Sequence, residues 1–185
     1  VEEALASDRP LFLCTQADSA VEEPALEDLR RVGVAAHILQ TLRMPDDTIK
    51  VIIEGISRAS LVRLMEMGSY YDAVVVREEE NAARTRQIEG LMRAVLTQFE
   101  EHAKLSQRIA PEIVASLHSV EEPGPLTDLI CAHLALRIDE RQDLLEAIDE
   151  TERLEKLTSV LMRENDMLEA ERKVQQRVRE QMDRN

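Results

Sequence analysis

Apolar positions along this chain follow two different periods, and the change falls near residue 80. Before it the spacing is that of strands. Residues 11–15 form a short apolar run after Pro10, the pattern of a buried strand. Residues 16–23 are polar and read as a loop, and residues 24–29 have room for one helical turn. Two alternating runs, 35–44 and 48–54, then flank Pro45-Asp46-Asp47, where proline suits the first corner of a turn. That arrangement predicts a hairpin. Gly55 allows a bulge or sharp bend before residues 56–64, and Met67-Gly68-Ser69 separates them from a last strand over residues 70–77. Residues 11–77 are therefore mostly a meandering antiparallel sheet.

At Glu78-Glu79-Glu80-Asn81 the period becomes helical, with Asn81 as the expected cap. Ile88, Leu91, Met92, Val95, Leu96, Phe99 and Ala103 fall on one helix face. Pro111 suits a first turn, so residues 111–117 form a second, short helix. Glu122-Pro123-Gly124-Pro125 breaks the chain, and a third helix follows with Leu126, Leu129, Ile130, His133 and Leu134. A fourth begins at Asp139, whose partner Gln142 completes a capping box, with Leu144, Leu145 and Ile148 inward. These helices predict a small bundle. The last stretch, residues 149–185, reads as one long helix capped by Asp149 with Glu152 three residues on. At 1.5 Å per residue it extends to roughly 50 Å, longer than the core of a small domain requires. Residues 154–168 suit packing on the bundle. Leu161, Leu168, Val174, Val178 and Met182 are also candidates for self-association, although Glu164, Glu171 and Gln175 interrupt a strict coiled-coil seam.

Composition narrows the picture. A chain of 185 residues with 44% hydrophobic content makes one or two compact units, and 2% aromatics leaves the core to Leu, Val, Ile and Met. The formal net charge is −14, spread over both halves, with 8 basic against 16 acidic side chains in residues 1–80 and 15 against 21 beyond. Such a balance repels a phosphate backbone and argues against nucleic-acid binding. Cys14 and Cys131 sit inside apolar runs, which suits buried free thiols and a reducing compartment. No apolar run approaches the length of a membrane span.

Candidate chemistry is sparse. Five dispersed glycines cannot assemble a phosphate-binding loop. His37, His102, His118 and His133 lack ligand spacing, Lys104 and Ser106 point to different helix faces, and the run of residues 78–80 reads as solvated linker. Nothing among these residues supports an enzyme or a metal site. One surface stands out. Strand alternation places Ile49, Val51 and Ile53 on one face and Lys50, Ile52 and Glu54 on the other. If Met44 pairs with Thr48, then Leu42 and Met44 share the face of Ile52, giving an aliphatic patch among polar groups. The patch is either a surface for unfolded or extended chains or a face covered by a second layer.

These residues also carry a resemblance. Val32-Gly33-Val34-Ala35 with Ile38-Leu39-Gln40, the run from Leu42-Arg43-Met44-Pro45 through Ile53-Glu54-Gly55, and Arg58-Ala59 resemble the N-terminal domain of the Lon family of ATP-dependent proteases. So do Asp128-Leu129-Ile130 with Ala132-His133-Leu134, Glu152-Arg153-Leu154-Glu155-Lys156-Leu157, and Arg177-Val178-Arg179-Glu180-Gln181-Met182. The resemblance implies an α+β chain: a PUA-like antiparallel β-domain over residues 1–77, truncated before Val1; a helical bundle over 78–148; and a long helix over 149–185 leading to an AAA+ ATPase and a Ser-Lys protease. It implies recognition of unfolded or degron-bearing proteins, here assigned to Leu42, Met44 and Ile52, and assembly of a homohexamer in the bacterial cytoplasm. No catalytic residue and no cofactor carry over to these residues, since ATP and Mg belong to the ATPase domain. The alternative is a purely structural oligomerisation module or spacer. Two departures are an absent Pro-Leu-Phe-Pro-like opening and Asp47 where the family usually has Gly.

Overall fold

A computed structural model describes residues 1–80 and 83–182. The chain divides into two compact units, Val1–Glu79 and Glu80–Asn185. In the first unit a short helix, α1 (Glu2–Ala6), precedes β1 (Leu11–Leu13), and a single 3-10 turn at Leu26–Asp28 follows. The N–H of Ala25 is tied to the Asp28 carboxylate at 2.9 Å, which closes that turn. Three longer strands complete the unit: β2 (Val32–Arg43), β3 (Ile49–Glu66) and β4 (Tyr71–Arg77). All four pair antiparallel in chain order, so the predicted meander is the observed sheet.

Local chemistry explains the turns and bends. Met44 N–H donates to the Thr48 carbonyl at 2.8 Å, closing the predicted hairpin. Asp47 takes φ 62°, a left-handed conformation that costs a non-glycine residue about 1 kcal/mol. The Gly68 φ of 78° serves the next turn without that cost. The register of β2 against β3 shifts between Ala35 and Ala36, leaving Ile56 as the extra residue beside Gly55, where a bulge or bend was predicted. A second shift lies between Ile38 and Gln40, with Leu39 unmatched. Where β1 crosses β2 the backbones lie close: a Cβ at Gly33 would run into the Leu13 carbonyl oxygen and the Phe12 ring.

The second unit contains α2 (Arg86–Ser106), α3 (Pro111–Leu117), α4 (Pro123–Ala132), α5 (Ile138–Glu146) and α6 (Glu150–Met182). Its core joins Ile88, Met92, Val95 and Phe99 of α2 to Leu117, Leu126, Ile130, Leu144, Leu154, Leu157 and Leu161. Each such side chain contributes about 1.5–3 kcal/mol of burial. Three predicted starts need correction. Asn81 lies outside the described residues; the cap of α2 is Thr85, whose hydroxyl accepts the Ile88 N–H at 3.2 Å. Pro123-Gly124-Pro125 does not break the chain but forms the first turn of α4. Prolines are tolerated there because first-turn N–H groups have no intrahelical acceptor. The cap of α5 is Arg137, two residues before the predicted Asp139, and its N–H is held by Glu140 at 3.1 Å in place of the predicted Asp139–Gln142 box. The cap of α6 is as predicted: Asp149 Oδ1 accepts the Glu152 N–H at 2.9 Å.

Residues 78–80 also depart from the solvated linker expected of them. Glu78 accepts the Ser60 hydroxyl, within the first unit. Glu80 pairs at 2.6 Å with Arg153, whose side chain is 1% exposed. Arg153 Nε donates to the Ala147 carbonyl at 2.8 Å and Nη2 to that of Ile148 at 3.1 Å, while Nη1 has no acceptor. A Cβ at Gly124 would lie 2.9 Å from a Glu150 carboxylate oxygen and 3.3 Å from one of Glu80, so these carboxylates would have to shift to admit a side chain. Removing the cation from such a site takes the Arg153 donors from the Ala147 and Ile148 carbonyls and the paired charge from Glu80. Arg153→Met is expected to lower unfolding free energy by about 3 kcal/mol in urea denaturation, whereas Arg163→Met, at a half-exposed pair with Glu140, changes it by less than about 1 kcal/mol.

Candidate functional site

The predicted patch lies on the half of the hairpin farthest from the four-stranded part of the sheet. β1 pairs only with residues 34–36 of β2, and β4 only with residues 59–66 of β3. Residues 37–54 are thus a two-stranded ribbon, held by one ladder. Cross-strand partners Leu42↔Lys50 and Gln40↔Ile52 share a face, and the Met44–Thr48 bond extends that face to the turn. Leu42 is 56% exposed and Ile52 54%, while Met44 is half-buried. The hairpin register therefore brings the three residues onto one face, with Leu42 and Ile52 its open members.

Sequence reasoning missed three further aliphatic positions. Leu39 is 61% exposed, Ile53 41% and Ile56 42%. Leu39 and Ile56 are the unmatched residues of the two register shifts, which strict alternation cannot anticipate. Ile53 was placed on the face opposite Ile52 and left out of the patch, yet a ribbon with one ladder has no second layer of its own to cover that face either. The available signal was length: an 18-residue β3 cannot be fully paired by a 7-residue β4.

The turn is stiffened by Asp46, whose carboxylate accepts the Thr48 hydroxyl at 2.6 Å and its N–H at 3.1 Å. These bonds, the hydroxyl first, hold the Asp46 carboxyl below the usual range. The open side chains of this face, Leu42 and Ile52, are aliphatic, which suits contact with other apolar side chains.

Other candidate residues separate clearly. Leu161, proposed for self-association, is fully buried in the helical core and is unavailable for it. Leu168 is half-buried, whereas Val174, Val178 and Met182 are 59%, 50% and 74% exposed. Helical spacing puts Met167, Val174 and Val178 on one line, turned away from the Leu154, Leu157 and Leu161 face. His102 is buried with Nδ1 3.0 Å from Asn165 Oδ1, and Asn165 Nδ2 donates to the Gln98 carbonyl. His118 meets Glu100 at 2.6 Å and His133 lies against Phe99. Lys104 is turned to Glu101. Both cysteines are half-buried and neither forms a disulfide, and burial pushes the Cys14 thiol up. Cys14 borders a cavity of about 460 Å³ in the first unit, together with Leu11, Phe12, Leu61, Leu64 and Tyr70. Among the described residues no three His, Cys, Asp or Glu side chains converge as metal ligands, and no helix is long and apolar enough to cross a membrane.

An antiparallel sheet carrying an open ribbon, followed by a helical unit that ends in a 33-residue helix, defines an α+β module. Residues 1–163 match the family of the ATP-dependent protease La (LON) substrate-binding domain, and the chain belongs to that family. Its 184 aligned residues are 43% identical to the Lon protease of Heliobacterium modesticaldum, covering all of this chain and 23% of that protein. Against the Lon protease of Escherichia coli K12 the identity is 37%, with 24% of that protein covered. The chain thus spans about a quarter of the curated relatives it matches. Among solved structures it resembles the N-terminal domain of the Mycobacterium avium complex Lon protease, with TM-score 0.63 and 25% identity over 85% of this chain and 90% of that one. The Lon N-terminal domain protein of Xanthomonas campestris, at TM-score 0.54 and 15% identity over 85% and 79%, shares the fold.

Asp46 gives this site a pH dependence of known sign. Because its folded-state value lies below the unfolded one, its contribution to the turn is complete above about pH 3.9 and is lost as pH falls through the folded value. The protection of the Thr48 amide, its exchange rate set against the intrinsic rate at each pH, is expected to fall on acidification through that range in the wild type. In Asp46→Ala, that protection is expected to be low from neutral pH downward with no acid step of its own.

Proposed function

We propose that the chain is the substrate-recognition and assembly module of an ATP-dependent protease, capturing unfolded or degron-bearing proteins through the ribbon. The observation that carries this reading is the pair of half-exposed aliphatic side chains, Leu42 and Ile52, held side by side on a two-stranded ribbon in a chain of the substrate-binding family. An unfolded polypeptide differs from a folded one chiefly in exposing apolar side chains, and an aliphatic patch rimmed by Lys50, Gln40 and Thr48 offers them burial. Met44 adds a side chain able to fit varied partners. In this reading the proteolysis, the ATP and Mg that drive it and the hexameric ring belong to the longer protein, which works in the bacterial cytoplasm, and this region contacts neither nucleic acid nor membrane.

A second reading, a structural spacer that self-associates, is favoured by one observation: Val174, Val178 and Met182 remain open on the distal part of α6. The two roles use different residues. The double variant Leu42→Glu with Ile52→Glu is expected to weaken capture of an unfolded protein about tenfold or more, with a thermal melt within a few degrees of wild type, because both side chains are already wet. The double variant Val174→Glu with Val178→Glu is expected to leave capture unchanged and to alter only sedimentation. Capture assays on the wild type and the two double variants distinguish the readings: undiminished binding by the first variant removes the ribbon from the account.

A further inference from the structure

The ribbon offers backbone as well as side chains. Its hydrogen-bond phase follows from the Met44 N–H to Thr48 carbonyl bond of 2.8 Å. In an antiparallel ladder bonded and non-bonded pairs alternate. Starting from Met44 and Thr48, the bonded pairs are Leu42 with Lys50 and Gln40 with Ile52, while Arg43 with Ile49 and Thr41 with Val51 are non-bonded. The peptide groups of Ile49 and Val51 therefore point away from β2. Among the described residues no strand pairs with that side of β3 before Ala59, where β4 ends at Arg77.

The two outer edges of the ribbon are not equivalent. The edge of β2 is interrupted by the unmatched Leu39 in the middle of its open stretch, and such an irregularity discourages strand addition. The edge of β3 is regular from Ile49 to Glu54, with its own extra residue at Ile56, beyond that stretch. It contains no proline and a single lysine, Lys50. Six regular residues span about 20 Å, enough for one short added strand. That strand would continue, along β3, the row that β4 occupies. Ile52 and Ile53, 54% and 41% exposed on opposite faces, stand ready to flank its side chains.

We propose that this edge captures its substrate by strand addition: an extended, apolar, β-branched-rich segment of an unfolded polypeptide pairs through its backbone with residues 49–54 of β3. The inference rests on the proposed capture function and specifies how it is done. Side-chain contact alone would tolerate any peptide backbone, whereas strand addition requires N–H groups on one edge of the peptide.

The test uses the 185-residue chain and a fluorescein-labelled octapeptide of alternating valine and threonine with a terminal lysine, read by anisotropy. Three peptides are compared: unmodified, N-methylated at alternate residues, and N-methylated throughout. The first two each keep a complete hydrogen-bonding edge and are expected to bind alike, while the third is expected to lose about tenfold or more. On the protein side, Val51→Pro removes an outward N–H, which an edge strand tolerates, and is expected to cost about tenfold or more in affinity. Thr41→Pro removes the matching group on β2 and is expected to cost nothing. Equal binding of all three peptides means capture by side chains, overturning strand addition and leaving the capture function standing. Failure of every peptide to bind overturns both. Loss by Thr41→Pro in place of Val51→Pro puts the strand on β2, and a dimer abolished by Val51→Pro puts a second copy on the edge; each contradicts the proposal. Should Val51→Pro fail to melt cooperatively, the peptide series decides alone.

Discussion

A guanidinium sealed from water must find acceptors, and the helical unit is arranged around the one that Arg153 finds. Its Nε and Nη2 hold the carbonyls of Ala147 and Ile148, which fixes the turn between α5 and α6. Its ion pair with Glu80 ties down the first residue of the unit. The same corner crowds Gly124, in the first turn of α4. One side chain thus sets the start of the unit, the entry of α4 and the direction in which α6 sets out. Leucines at 154, 157 and 161 then follow as fully buried residues on the face that Arg153 begins.

The sheet unit obeys the opposite economy. Its central strands are long while their neighbours are short, so the far part of the hairpin keeps a single ladder. Aliphatic side chains there cannot be buried within the ribbon, whichever face they take. Leu39, Leu42, Ile52, Ile53 and Ile56 are open for that reason. A ribbon of this kind persists because its turn is stiff, through Asp46 and Thr48, and because its base is anchored in a four-stranded sheet.

The strands and helices were largely legible from periodicity, because each buries one regular face. The hairpin followed from Pro45-Asp46-Asp47 between alternating runs, and the exposed pair of Leu42 and Ile52 followed from its register. What escaped the sequence was non-local or irregular. An arginine at position 153 looks like a surface residue of a charged helix, and only the carbonyls of the preceding turn and Glu80, 73 positions upstream, explain its burial. Leu39 and Ile56 escaped because a bulge resets alternation. Leu161 was misassigned to self-association because the stripe along α6 is really two stripes, one facing the bundle as far as Asn165 and one opening beyond it. Pro123-Gly124-Pro125 looked like a break because the same residues that end a helix are permitted to begin one.

The central claim is that the ribbon, and not the long helix, meets the substrate. Hydrogen–deuterium exchange of the whole chain, with and without a permanently unfolded protein, tests it most directly. The account predicts slowed exchange confined to residues 37–54, with α6 unaffected beyond Asn165. Protection in the distal half of α6, with the ribbon exchanging as before, would contradict it.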